Sequence, residues 1–473
     1  MKPGINLTKM ALAMAFLVAA SSAIAATGPQ VTISTGTLEG SVSHGVAAFK
    51  GIPYAAPPVG KLRWRAPQPA ADWKGVRMAT HYGPDCKQTP FPSDAAPLGV
   101  KSAEDCLYAN VWRPAGDKHG HLPVMVWIYG GGFVNGGSSP AVYSGANLAQ
   151  KGIVVVSFNY RVGRFGVFGF PQLAKEKEAK GEPRINFDFM DQLAALKWVR
   201  QNVAAFGGDP NDVTIVGESA GGMSVNMLLT SPKSRGLFEK AAIWSGGNGK
   251  MDLKPAVAEA AGIAFAKKMG IDPKAPDALK QLRALSADQV DDGLNMMALF
   301  VPHKGPQTFT MPVVDGKINV GAWPAYQSGN FAKVPVMIGS THNDIGGRNG
   351  VMTVGARDIA TELTKHGVPV YYYRFSYVAS ADRSKKWYSK GAPHASDIPF
   401  WFNTEAIKYG KATTSKDRKA GHLASDYLVN FVKTANPNGK GLPTWPVYNP
   451  ANHAMLDFTP AGGVSSGPDP WAK

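Results

Sequence analysis

VTIVGESAGG, residues 213–222, is the most informative stretch of this sequence. An apolar strand-like run leads into G-x-S-x-G, and a segment compatible with a helix, Met223–Leu229, follows. This order is typical of a nucleophile elbow, a sharp strand-to-helix turn that exposes a serine hydroxyl. The glycines on either side allow close approach of neighbouring backbone without Cβ clashes. We therefore predict that Ser219 is a nucleophile, with negative charge favoured by the amides of the following helix.

A second glycine cluster, Gly130-Gly131-Gly132-Phe133, follows the apolar run Val124–Tyr129. Consecutive glycines at the carboxyl end of a strand can turn backbone N–H groups toward a site above the sheet. An oxyanion hole needs this arrangement of donors. The cluster alone would be an ordinary turn, but together with the elbow it predicts an acyl-transfer site.

Six short, nearly continuous apolar runs predict buried strands of a mostly parallel sheet covered by helices on both faces. They are Val124–Tyr129, Ile153–Asn159, Val213–Val216, Ala241–Trp244, Val334–Ile338 and Val368–Phe375. A helix is predicted between the second and third, capped by Asp188 and ended by Gly207-Gly208. The absence of repeats and low-complexity linkers indicates one α/β domain.

The N-terminal part of the chain differs from the rest. Lys2 and Lys9, the apolar run Met10–Ala20 and small residues at 23–25 predict a signal peptide over residues 1–26. The run is too short for a transmembrane helix, so we expect a periplasmic or extracellular protein whose single domain covers residues 27–473. Residues 27–114, rich in Gly and Pro, are expected to add antiparallel edge strands.

The net charge limits the classes of partner that this chain fits, and the cysteines indicate its compartment. The formal net charge is +16, and it is +14 beyond residue 26 because the leader contains two lysines and no acid. This charge serves either solubility or attraction of anionic substrates and surfaces. Scattered basic residues without an aromatic platform argue against nucleic acid as a partner.

Cys86 and Cys106 are the two cysteines, and export places them where disulfides persist. A bridge closing this loop would contribute about 3 kcal/mol, and no spacing indicates a metal site.

Motifs along most of the chain resemble the type-B carboxylesterase family, the carboxylesterase and cholinesterase branch of the α/β-hydrolase fold. Besides the elbow and the glycine cluster, they are FKGIPYA (49–55), EDCLY (104–108), WIY (127–129), NYRVG (159–163), FGGDP (206–210), NF (430–431), NP (436–437) and WP (445–446). The resemblance implies an α/β-hydrolase fold and hydrolysis of small-molecule esters without a metal or organic cofactor. It implies nothing about the oligomeric state.

The resemblance also assigns roles to individual residues. It implies that Ser219 is the nucleophile and that the amides of Gly131, Gly132 and Ala220 form a three-donor oxyanion hole. Cys86 and Cys106 would correspond to the early disulfide of the family.

The general base is expected among the histidines that follow Ser219, because the triad of this fold runs Ser, acid, His along the chain. These are His303, His342, His366, His394, His422 and His453. His394 lies in GAPHASDIP (391–399), which resembles the catalytic-histidine loop of the family. We therefore predict that His394 is the base and that its loop follows the last strand.

The acid is less clearly encoded. The family usually has a D-E-G triplet after the strand that corresponds to Val334–Ser340, whereas this chain has HNDIG (342–346). Asp344 is the carboxylate of this loop and is predicted to be the triad acid. Asp397 is the alternative, although its position three residues after His394 better matches a supporting acid.

The segment between Gly346 and Val368 is shorter than the helical region the family carries there. We expect a shallower or more open pocket, lined by Pro302–Thr310 and Gly346–Arg357.

The predicted chemistry is ester hydrolysis through an acyl-enzyme. The same triad could act on thioesters, lactones or amides, and a non-catalytic cholinesterase-like domain is disfavoured because Ser219 and its elbow are intact. The natural substrate is not encoded in any motif.

Overall fold

The computed structural model describes residues 1, 28–92, 94–116, 120–178, 185–247, 249–250, 252–302 and 305–472. Residues 2–26 of the predicted signal peptide lie outside this part of the chain, as does His303. None of the helices in the described ranges is both long and apolar enough to cross a membrane.

The strands bury the apolar runs of the sequence. In chain order, the described residues form β1 Gln30–Ile33, β2 Gly36–Glu39, β3 Ser41–Ser43, β4 Val46–Pro53, β5 Val76–Met78, β6 Asp85–Cys86, β7 Ser102–Ala103, β8 Tyr108–Pro114, β9 Leu122–Ile128, β10 Val154–Phe158, β11 Gly208–Glu218, β12 Lys240–Trp244, β13 Val336–Thr341, β14 Val370–Phe375, β15 Ala454–Phe458 and β16 Val464–Pro468.

The helices lie between and after these strands. Those in the described residues are α1 Ala146–Ala149, α2 Gly163–Gly166, α3 Pro171–Glu178, α4 Phe187–Asn202, α5 Ala220–Thr230, α6 Pro255–Lys268, α7 Ala278–Ala284, α8 Ala287–Asp291, α9 Ala322–Ser328, α10 Val351–Lys365, α11 Ile398–Trp401, α12 Glu405–Tyr409 and α13 Ser415–Thr434.

One eleven-stranded sheet of described residues organises the fold, in the order β16-β15-β14-β13-β12-β11-β9-β10-β8-β4-β3. The strands from β10 and β9 through β11 to β15 pair in parallel, while β3, β4 and β8 add antiparallel pairs at one edge. The predicted α/β-hydrolase fold, with antiparallel N-terminal strands, is confirmed. The carboxyl ends of parallel strands meet at one edge of a sheet, where active sites of such folds form.

Each of the six predicted apolar runs forms a strand. The largest difference in a strand's start is at β11, which begins at Gly208 rather than Val213 because Gly208 pairs with Leu122 before a register shift. His394 follows β14, the last strand predicted from the sequence, but β15 and β16 come later in the chain and extend the sheet beyond β14. The sequence signal of β16 is weak because it is an edge strand that buries none of its side chains completely.

Asp188 does not cap helix α4. The N-cap residue is Asn186, and Asp188 lies in the first turn, where its carboxylate accepts the Phe189 amide at 2.7 Å. The Asn186 side chain makes no cap because it donates to and accepts from the backbone of Val313, at 2.8 and 2.9 Å. The helix ends at Asn202, and a 3₁₀ turn leads to Gly207 in the left-handed conformation. The helix α4 therefore ends about one turn before the predicted stop at Gly207.

Cys86 and Cys106 form a disulfide, as predicted. The bridge closes a loop that begins at β6 and includes β7. Both cysteines are buried.

The segment from Gly346 to Val368, expected to be short, contains a 3₁₀ turn, Gly347–Asn349, and the helix α10. Residues 351–357 are therefore helical and not a loop.

Candidate active site

Ser219 lies between β11 and α5, at the carboxyl end of the central strands. Its backbone has φ +56° and ψ −123°. Residues with a side chain rarely adopt this backbone conformation, which stores on the order of 1–3 kcal/mol of strain. A Cβ on Gly221 would lie 2.0 Å from the Ile128 carbonyl, and one on Gly217 would lie 2.3 Å from the Gly221 carbonyl. The flanking glycines are therefore sterically required, as the elbow motif predicts.

His394 lies beside Ser219, although 175 residues separate them in the chain. Its Nε2 is 2.8 Å from the Ser219 hydroxyl oxygen. The loop that carries His394 is held to the loop that follows β13, since the Asn343 amide donates to the Ala392 carbonyl at 2.8 Å. The side chain is 23% exposed, so the imidazole can be reached from the solvent side.

Asp344 contacts the other nitrogen of the imidazole. Its Oδ1 is 2.6 Å from His394 Nδ1. The carboxylate also accepts from the Ile345 amide at 2.8 Å and from the Ser245 hydroxyl at 2.6 Å. Burial raises the pKa of Asp344, but the His394 charge and these hydrogen bonds outweigh it and hold the pKa below its ordinary value. Asp344 therefore remains ionised at neutral pH.

Asp397, the alternative acid, takes another position. Its Oδ2 accepts from the Trp401 indole N–H at 3.0 Å, and its Oδ1 has no hydrogen-bond partner in the described part of the chain. Burial raises the pKa of Asp397 to about 6. The structure thus brings Asp344, and not Asp397, into contact with the imidazole of His394.

Two polar residues near the site were not singled out by the sequence analysis. Glu218, which is 2% exposed, has its Oε1 3.3 Å from His394 Nε2. Burial and the nearby carboxylates raise the pKa of Glu218 to about 8, although the His394 charge opposes this. Ser245, next after β12, donates to Asp344. The only available signals were the place of Glu218 inside G-x-S-x-G and the place of Ser245 after a strand at the same sheet edge.

The charge around His394 changes its proton affinity. Burial lowers the pKa of the imidazole, but the carboxylates of Asp344 and Glu218 outweigh burial and raise it to about 9. An imidazole with a raised pKa is a stronger base, but it must lose its proton before it can accept another.

The glycine loop after β9 lies against the elbow. A Cβ on Gly130 would lie 2.8 Å from the Ser219 Cβ. Gly131 and Gly132 both have positive φ, +111° and +63°. Within the described residues, the amides of Gly131, Gly132 and Ala220 donate to no protein acceptor. Ala220 follows Ser219 directly, and Gly131 and Gly132 follow Gly130, so all three predicted oxyanion donors belong to the two turns that approach each other at Ser219.

A pocket opens beside these turns. Its wall consists of Phe133, Met223, Asn226, Met227, Gly249, Asp252, Pro312, Asn319 and Ala322. Phe133 follows Gly132, and the Met223 amide donates to the Ser219 carbonyl at 2.8 Å. Of the described residues in this wall, none comes from 302–310 or 346–357. Its mixed apolar and polar wall can hold part of a small organic molecule next to the serine.

Within the ranges that the structure describes, no group of three or more His, Cys, Asp or Glu side chains could hold a metal ion.

The sequence and the fold of this chain are similar to those of known carboxylesterases. The sequence profile of the carboxylesterase family matches residues 27–350 and 347–468. The chain is 34% identical to para-nitrobenzyl esterase of Bacillus subtilis (strain 168) over 479 residues, which cover 90% of this chain and 94% of that protein. It is 31% identical to liver carboxylesterase of Sus scrofa, covering 87% and 85%. A solved structure of PNB esterase matches with a TM-score of 0.80 and 29% identity, covering 94% and 98%.

Proposed function

The chain belongs to the carboxylesterase family and is a carboxylic-ester hydrolase, and from that premise we propose that it acts through a Ser219–His394–Asp344 triad. The observation that carries this proposal is the contact chain from the Ser219 hydroxyl through both nitrogens of His394 to Asp344, with distances of 2.8 and 2.6 Å. Nucleophile, base and orienting acid stand in this order in hydrolases that form acyl-enzymes.

The first half of the reaction forms the acyl-enzyme. As Ser219 Oγ bonds to the ester carbonyl carbon, His394 Nε2 accepts the hydroxyl proton, and Asp344 stabilises the resulting imidazolium. The amides of Gly131, Gly132 and Ala220 bind the carbonyl oxygen as it becomes negative. The bond to the alcohol oxygen then breaks, and His394 returns its proton to that oxygen, which leaves as the alcohol.

The second half releases the acid. His394 removes a proton from water, the hydroxide oxygen bonds to the acyl carbon, and the bond to Ser219 Oγ breaks. His394 gives the proton back to Ser219, so the enzyme is unchanged after one turnover. The side chains of this chain supply every proton transfer in the cycle.

A fluorophosphonate probe tests this proposal. We expect Ser219 Oγ to displace fluoride and form a stable bond to phosphorus, and mass spectrometry of the digested protein should find the label on the peptide that contains Ser219. Protein unfolded by heat serves as the control and should not be labelled, because the hydroxyl is activated only beside His394. A native protein that hydrolyses esters but carries the label elsewhere, or none, contradicts the proposed nucleophile.

The preferred ester remains to be defined within this class. Para-nitrobenzyl esterase and a fumonisin B1 esterase of Sphingopyxis macrogoltabida, 38% identical over 66% of this chain and 55% of that protein, are named for different substrates. We propose that the pocket beside Ser219 accepts small organic esters. A series of p-nitrophenyl esters of increasing acyl length, assayed beside acidic and aromatic esters, measures the preference, and equal kcat/KM across the series would contradict a selective pocket.

We also propose that residues 27–473 form one exported domain. Two observations support this: the leader-like pattern of residues 1–26 and the Cys86–Cys106 bridge, which is typical of oxidising compartments. The sheet, whose strands run from Ser41 to Pro468, supports a single domain. N-terminal sequencing of protein recovered outside the cytoplasm should begin near residue 27. Protein retained with Met1 intact would contradict export.

Activity should rise with pH above neutrality. His394 must be neutral to accept the Ser219 proton, and its pKa is raised to about 9, so protonation removes active enzyme as the pH falls. We expect kcat/KM to fall about tenfold per pH unit on the acid side, with a midpoint above the ordinary histidine value of about 6.5. A midpoint at or below 6.5 would contradict the raised pKa.

Replacing Glu218 with glutamine removes a negative charge 3.3 Å from His394 Nε2. The midpoint of the profile should then move to a pH about 1 lower, since the imidazolium loses a stabilising neighbour. Asp397→Asn is the matched control, because Asp397 is equally buried and raises the pKa of His394 less than Glu218 does. Equal displacement in both variants would show that the charge of Glu218 has no special role.

A further inference from the structure

The loop that carries the proposed oxyanion donors is folded back on itself. The Gly131 carbonyl accepts from the Val134 amide at 3.1 Å and from the Asn135 amide at 2.9 Å. The described chain contains no cis peptide bond, and in a trans peptide the C=O and N–H groups point in opposite directions. Holding the Gly131 carbonyl toward residues 134 and 135 therefore turns the Gly132 N–H to the other side of the loop.

Asn135 is itself fixed by its side chain. This side chain is 1% exposed, and its Nδ2 donates to Gln88 Oε1 at 3.0 Å and to the Thr89 carbonyl at 2.8 Å. Its Oδ1 accepts from the Met296 amide at 2.6 Å. Three hydrogen bonds thus determine where the Asn135 backbone amide lies.

Gln88 completes the support from the disulfide loop. Its Oε1 also accepts from the Gly136 amide at 2.9 Å, and its Nε2 donates to the carbonyls of Gly136 and Cys86 at 2.6 and 2.8 Å. The amide group therefore makes four hydrogen bonds, as many as a primary amide normally can. Cys86, two residues earlier, anchors this segment through its bridge to Cys106.

We propose that Gln88 and Asn135 are positioning residues for the oxyanion hole. Gln88 and Thr89 hold Asn135, Asn135 holds the Gly131 carbonyl, and that carbonyl directs the Gly132 amide. Both side chains are buried, and their amide groups are hydrogen-bonded to the protein, so they would act through the loop. This inference rests on the proposed function, because it assumes that the Gly132 amide binds the developing negative charge. Losing one such donor completely costs about 10²–10³ in kcat, so a misdirected donor should cost about 10–100-fold.

Gln88→Met is the main test, because methionine keeps the volume and removes all four hydrogen bonds. We expect kcat to fall about 10–100-fold with KM changed by less than about threefold, since the donor acts mainly in the transition state. A trifluoromethyl ketone bound to Ser219 as a hemiketal mimics that state. Its inhibition constant should rise by the same factor as kcat falls, whereas the constant of an amide analogue that stays uncleaved should not change.

Asn135→Ala is the second variant, and it keeps the test valid if Gln88→Met does not fold. Its backbone amide remains, but the three side-chain hydrogen bonds are lost, so the same pattern is expected. Asn202→Ala is the matched control. Asn202 is also a buried amide with two hydrogen bonds, to the Ser34 amide and the Trp198 carbonyl, far from Ser219 in the fold. It should lower the melting temperature and leave kcat unchanged.

The outcomes separate this inference from the proposed function. Unchanged kcat and unchanged ketone inhibition in a folded Gln88→Met or Asn135→Ala variant would overturn the positioning role alone. A loss of melting temperature without a change in kcat, as in Asn202→Ala, would also overturn it. Failure of the wild-type protein to bind the ketone would instead contradict the proposed oxyanion hole and the serine mechanism.

Discussion

Ser219→Ala is expected to abolish ester hydrolysis, lowering kcat by about 10⁶-fold. Removal of a triad nucleophile has an effect of this size because the covalent route is closed and the histidine has no group to deprotonate. The hydroxyl is hydrogen-bonded to His394, and alanine keeps the Cβ of the serine, so the fold should remain. Steady-state kinetics with one activated ester, beside circular dichroism and melting curves, measures both effects.

Ser231→Ala is the matched control for this experiment. Ser231 follows the last residue of α5, the helix that Ser219 precedes, and its hydroxyl accepts from the Lys233 amide at 3.2 Å. It should leave kcat within about twofold of the wild type, because Ser231 is buried at the opposite end of α5 from Ser219 and losing one hydrogen bond there affects stability rather than the site. More than about a tenth of the wild-type kcat in a folded Ser219→Ala variant would exclude Ser219 as the nucleophile.

Asp344→Asn is expected to lower kcat by about 10⁴-fold at neutral pH, the effect of the same change in a well-studied triad. The Asp344 carboxylate accepts a hydrogen bond from His394 Nδ1–H at 2.6 Å and stabilises the imidazolium. An amide of the same size can offer an N–H instead, which selects the wrong tautomer and leaves Nε2 unable to accept the serine proton. At about 1.36 kcal/mol per decade, the loss corresponds to about 5 kcal/mol of transition-state stabilisation.

Asp397→Asn provides the comparison within the same site. Asp397 contacts Trp401 rather than His394, and its pKa of about 6 means that it is already partly neutral near pH 6. The amide resembles this neutral form, so we expect a loss of only about 10–100-fold, typical of a supporting residue. Both variants should be assayed with the same ester after their melting temperatures are compared. A larger loss for Asp397→Asn would reverse the proposed roles.

The elbow and the sheet were predictable because their determinants are adjacent in the chain. An apolar run, two glycines around Ser219 and a helix-forming segment specify strand, turn and helix through local sterics. The carboxyl ends of parallel strands share one edge, so the glycine cluster at 130–132 and the loop of Asp344 could be placed near Ser219 in advance. The position of His394 came from the resemblance of its loop to a family motif.

Other features depended on contacts between distant residues. Asp188 was predicted to cap α4, whereas the N-cap residue is Asn186, whose side chain pairs with the backbone of Val313 instead of capping the helix. The edge strand β16 has no apolar run because its side chains are at most partly buried. It pairs antiparallel with β15, and no local sequence pattern specifies that pairing or its register.

The sequence by itself determined the fold class, the nucleophile motif and two acids that could complete a triad. The tertiary structure alone decided which acid touches His394, that Glu218 faces the same imidazole, and that Gln88 supports Asn135. The physical reason is the range of the interactions involved. Backbone conformation and burial pattern follow from neighbouring residues, whereas a hydrogen bond of 2.6 Å between residues 50 positions apart requires the whole sheet to set their relative places.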